Sequence, residues 1–80
     1  MRLETRLRTR GRLSILSDGA LPIDAKVLDT SPSGMGIESP VQLKAGTTVR
    51  LICCGVEVAK GTIQYCRTHG DRFVAGVAFS

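Results

Sequence analysis

At 80 residues and 42% apolar, the chain is long enough for one small domain, which buries only roughly 60% of its unfolded surface. Its net charge of +4 sits entirely in residues 1–12, where Arg2, Arg6, Arg8, Arg10 and Arg12 outweigh Glu4, while residues 13–80 are neutral. No apolar run approaches the ~20 residues of a membrane helix, the arginine-rich start lacks the apolar stretch of a secretory leader, and three cysteines with no CxxC and one histidine make a poor zinc set.

In chain order, residues 1–12 read as a flexible arginine arm and residues 13–80 as the folded domain. Arginine in preference to lysine suits forked contacts with phosphate or a guanine edge, so the arm points to an anionic partner. "GRLSIL" (11–16) predicts a strand ended by the turn signal "SDGA". "LPIDAKVLD" (21–29) alternates Ile23, Ala25 and Val27 against Asp24, Lys26 and Leu28, the pattern of a half-buried strand. Pro22 fits its start, where no ladder donor is needed. "SPSG" predicts a turn and "MGIES" a short strand.

"LKAGTT" (43–48) turns the chain again. "TVRLICC" (48–54) alternates Val49, Leu51 and Cys53 against Arg50, Ile52 and Cys54, and Gly55 marks a tight turn. "VEVAKGTIQYCR" (56–67) follows, with Gly61 expected at a bulge or bend. "THGDR" (68–72) predicts a hairpin with Gly70 and Asp71 at its tip. "FVAGVAFS" closes the chain with Phe73, Ala75, Val77 and Phe79 on one face. Tyr65 and Phe73 read as core, the cysteines as small buried or half-buried hydrophobes, and His69 as an exposed loop residue. About six short strands without a helical period indicate an all-β fold, and closing the sheet into a small antiparallel barrel would hide its edges.

Two features remain. The arm carries RxxxR spacing at Arg2/Arg6, Arg6/Arg10 and Arg8/Arg12, and "DTSPSG" (29–34) forms a DxSxxG at the end of the second strand. Asp29, Ser31 and Gly34 could make a plain β-turn or a loop that grips a ligand, and the arginines suit a nucleic acid, a nucleotide or a membrane surface.

With "VLDTSPSGMGI", "GTIQYCR" and "FVAGVAF", the chain resembles the PilZ domain, the bacterial receptor module for cyclic di-GMP. Tyr65 stands where that family often has Trp. The resemblance implies a six-stranded antiparallel β-barrel, here with no long C-terminal helix, a cytoplasmic bacterial setting and a cyclic di-GMP ligand. It implies ligand contacts from Asp29, Ser31 and Gly34 and from an arginine pair. Arg2 and Arg6 are preferred for that pair, with Arg6 and Arg10 as the second choice.

The expected function is therefore a non-catalytic signalling module without metal or cofactor. It grips cyclic di-GMP and reshapes a surface for a protein partner in motility, secretion or polysaccharide synthesis, as a monomer or a ligand-bridged dimer. The alternatives are an adaptor of the same fold that binds protein without nucleotide, and a small nucleic-acid-binding barrel. An enzyme is disfavoured because no acid–base pair, nucleophile–base pair or metal set can be assembled from the residues.

Overall fold

A computed structural model describes residues 7–80, with side chains from residue 11 onward. Six strands follow in order: β1 (Leu7–Leu16), β2 (Ile23–Ser31), β3 (Gly34–Ser39), β4 (Thr48–Cys53), β5 (Val56–His69) and β6 (Arg72–Phe79). They close into an antiparallel barrel in the order β1-β2-β3-β6-β5-β4. The all-β barrel expected from the sequence is what forms, and no helix occurs among the described residues. None is therefore long and apolar enough to cross a membrane. Closure pairs every strand on both sides, although β1 meets β4 only through Ser14, Ile15 and Leu16.

Strand alternation sends one set of side chains inward. Leu13, Ile15, Ala25, Ile37, Leu51 and Ile63 are among the buried residues that fill the barrel. Each leucine or isoleucine among them contributes about 1.5–3 kcal/mol by leaving water. The fully buried Ser39 satisfies itself in the β3–β4 connection, where its hydroxyl donates to Val41 O (2.7 Å) and accepts from Val41 N–H (3.1 Å). The turns need left-handed backbone at Gly19, Gly46, Gly55 and Gly70, the role for which glycine suits best.

Three expectations are adjusted. β1 begins at Leu7, so residues 7–12, assigned to the arm, extend the first strand; residues 1–6 lie outside the described part. β4 ends at Cys53, and Cys54 is an exposed turn residue. Gly61 is not at a bulge: it pairs regularly with Val49 and with Phe79. Its missing Cβ instead makes room for the Ala78 carbonyl and for Val77 Cγ1, which would lie 2.7 Å from an added methyl.

The bulges lie elsewhere. Val27 pairs with Ile37 and Asp29 with Gly36, which leaves Leu28 as an extra residue on β2. Ile63 pairs with Val77 and Tyr65 with Gly76, which leaves Gln64 extra on β5. Leu51 pairs with Ala59 and Ile52 with Glu57, which leaves Val58 extra, and its side chain is 55% exposed. An inserted residue shifts the alternation by one, so every side chain beyond it changes face.

Candidate functional site

Those first two bulges build the site. Without them, alternation from Val27 and Ile63 would put Asp29 and Tyr65 inside the barrel. With them, both residues face outward, in one cross-strand row that runs Asp29, Gly36, Gly76, Tyr65. A β-bulge is a common device for re-aiming a side chain.

The strands beneath Asp29 and Tyr65 contribute almost no side chains of their own. On the outer face of the β3–β6 pair, Gly36 stands opposite Gly76 and Gly34 opposite Ala78. The core residues Ile37, Ala75 and Val77 occupy the other face. An open groove of about 270 Å³ runs along the outer face, with Asp29 on one wall and Gln64 and Tyr65 on the other.

The walls depend on the glycines. The Gly36 N–H donates to Asp29 Oδ1 at 3.2 Å, and a Cβ at Gly36 would stand 2.9 Å from that oxygen. The Tyr65 ring lies over Gly76, where an added Cβ would come within 2.8 Å of Cζ. The Arg67 guanidinium sits 4.8 Å from the Tyr65 ring centroid, a cation–π arrangement. Tyr65 is 42% exposed, so the sequence expectation of a core tyrosine is corrected. Phe73 is half-buried, and His69 is exposed, as expected, at the end of β5.

The DxSxxG residues therefore separate into different tasks. Asp29 and Gly34 line the groove. Ser31 is only 7% exposed, with its hydroxyl 3.5 Å from Gly34 O, and the groove-lining serine is Ser33. Gly34 is dictated by the neighbouring strand: a Cβ there would run into the Val77 carbonyl. The close approach that it permits is thus β6 against β3. The Phe79 N–H, which donates to Ser33 O at 2.8 Å, ties the loop to β6.

The register also fixes where the arginines enter. Leu7 pairs with Thr30 and Arg8 with Asp29, so the chain enters the barrel beside the 29–34 loop. Arg6 directly precedes Leu7 in sequence; Arg2 and Arg6 lie outside the described residues. Arg10 falls in the irregular stretch between Arg8 and Gly11.

Sequence reading missed the groove residues Tyr65 and Gly76, and Gly36 beneath Asp29. The signal available was the pair of small-residue strands, "GMGI" and "AGVA", but the bulge that turns Tyr65 outward leaves no mark in the alternation. Among the described residues, no group of three or more His, Cys, Asp or Glu gathers as a metal set. A scan against protein-family models and a search of curated proteins return no match to this chain.

Proposed function

We propose that the chain is a non-catalytic, cytoplasmic module of the PilZ kind that binds cyclic di-GMP on the outer face of its barrel. One observation carries this reading: a carboxylate and an aromatic ring stand side by side in one outer-face row, Asp29 over Gly36 and Tyr65 over Gly76, beside an open groove, and β1 delivers the arginine segment to the carboxylate's edge. A carboxylate accepts several hydrogen bonds, so Asp29 can hold the Gly36 N–H and also take guanine N1 and N2 donors. A base that displaces Arg67 from the Tyr65 ring gains stacking, which contributes about 1–3 kcal/mol per base in single-strand binders. The arm arginines answer the two phosphates. Binding then presents a changed surface to a partner protein.

The test is affinity in a variant series, each member checked for fold by circular dichroism. Arg6→Ala and Asp29→Asn should each weaken cyclic di-GMP binding by tenfold or more, about 1.4 kcal/mol. Tyr65→Ala should weaken it without loss of specificity for guanine. Unchanged affinity in both Arg6→Ala and Asp29→Asn would overturn the assigned site. One observation favours the adaptor reading: Val56 and Val58 are 62% and 55% exposed at the β4–β5 hairpin, where a protein could dock without nucleotide.

A further inference from the structure

The β4–β5 hairpin carries two adjacent thiols for which the nucleotide reading has no use. Cys53 pairs with Val56, so Cys54 and Gly55 are the two turn residues. Both have positive φ, 53° and 80°, as the central residues of a type I′ turn require. In an extended strand, successive side chains point to opposite faces. The left-handed backbone at Cys54 breaks that rule and brings the two sulfurs to 3.9 Å. Cys54 is exposed and Cys53 half-buried, and both are free thiols.

Metal–thiolate bonds of about 2.3 Å at a tetrahedral angle hold two sulfurs about 3.8 Å apart. The hairpin therefore presents the bite of a chelating pair without rearrangement of its backbone. A second observation lies beside it. Cys53 lines an apolar groove of about 280 Å³ with Leu13, Val27, Met35 and Val58 among its walls. An apolar substituent on a centre held by the two sulfurs would find that groove next to it.

We propose that Cys53 and Cys54 form a two-thiolate chelating pair for a soft, thiophilic centre, such as an organic trivalent arsenical, or a zinc-class cation that takes its remaining ligands from solvent. With an arsenical written R–As=O, two As–S bonds form and the As–O bonding is lost. Both thiol protons leave with the oxygen as water, and no atom changes oxidation state. Cys66 takes no part. It packs half-buried against the core, and its sulfur accepts from the Leu43 N–H at 3.3 Å.

The test uses the reduced full chain and phenylarsine oxide, read by native mass spectrometry. The expected result is one phenylarsine adduct per chain, reversed by a small 1,2-dithiol and resistant to a monothiol. Cys66→Ser should keep the adduct. Cys53→Ala and Cys54→Ser should each bind at least about 100-fold more weakly, because the second thiolate acts at the high effective concentration of a short tether. Titration with Zn²⁺ before the arsenical separates the two sources: protection makes a cation a shared occupant, and no protection confines the site to arsenicals. The proposal is overturned if a chain shown to be folded takes up no adduct, or if Cys54→Ser retains full affinity.

Discussion

Gly76→Ala tests whether the Tyr65 wall rests on the glycine floor. A methyl at residue 76 would stand 2.8 Å from Tyr65 Cζ and 3.1 Å from Cδ2, and the three nearest atoms it meets all belong to that ring. The ring must lift. Tyr65 is 42% exposed, so it can swing into solvent, and the cost is limited to the contact it gives up. Losing about 50 Å² of ring contact costs about 1.3 kcal/mol. Losing the Arg67 stack costs about 0.5–1 kcal/mol more. Against this, replacing a strand glycine by alanine contributes about 0.5–1 kcal/mol through backbone entropy. The net effect should be a loss of about 1 kcal/mol.

In a Tyr65→Ala background the obstacle is gone, and the same substitution should stabilise by about 0.5–1 kcal/mol. The two effects differ in sign, with a coupling of about 1.5–2 kcal/mol between sites in contact. Urea unfolding followed by far-ultraviolet circular dichroism reads all four corners of the cycle, and the Tyr65→Ala proteins need no aromatic probe. An equal effect of Gly76→Ala in both backgrounds would refute the reasoning, because the ring would then not be what the methyl meets.

Three further outcomes follow from the same geometry. Asp29→Ala should cost about 1–2 kcal/mol, since the Gly36 N–H loses its acceptor; Asp29→Asn, which keeps one, should cost less than half of that in the same urea assay. Cys54→Asn should stabilise the hairpin by about 1 kcal/mol, because asparagine tolerates the left-handed backbone held at φ 53° better than cysteine does. That should raise Tm by about 4–8 °C in a domain of this size, and a lower Tm would contradict the turn assignment. Finally, the Cys53 thiol is pushed above the ordinary thiol value, first by its hydrogen bond to Cys54, then by the charge of Cys54, then by burial. Peptide mapping after iodoacetamide should therefore find Cys54 alkylated first near neutral pH. Alkylation of Cys54 removes that hydrogen bond and charge, so Cys53 should react second; equal first-step rates at the two thiols would count against the pairing.

Strand content and turns were legible because alternation and turn residues act locally. Ile23, Ala25 and Val27 point inward as their period requires, and Gly55 and Gly70 sit in the turns expected of them. The start of β1 was not legible. "LRTR" has the composition of a solvated arm, yet its backbone pairs with Thr30 and Asp29, and pairing depends on a partner strand that composition does not reveal. The site was half legible. Asp29 announced itself through its motif, but the face it occupies is set by the extra residue Leu28. Tyr65 was placed on the wrong face because counting by twos from Ile63 carries no sign of the extra residue Gln64. Gly34 lines the groove, and the Val77 carbonyl also demands a glycine there, a requirement the motif does not reveal. In each case a long-range contact added what a local rule does not carry.

The account turns on whether the groove between Asp29 and Tyr65 takes a guanine dinucleotide. Calorimetric titration of the purified chain with cyclic di-GMP at moderate salt tests this directly, with GTP and a short single-stranded DNA as controls. The predicted result is saturable binding of the cyclic dinucleotide alone, lost in Arg6→Ala. Absence of heat from a chain shown to be folded would contradict it and favour the protein-binding adaptor. Signal with the DNA that falls steeply with salt would instead assign function to the arginine arm and not to the groove.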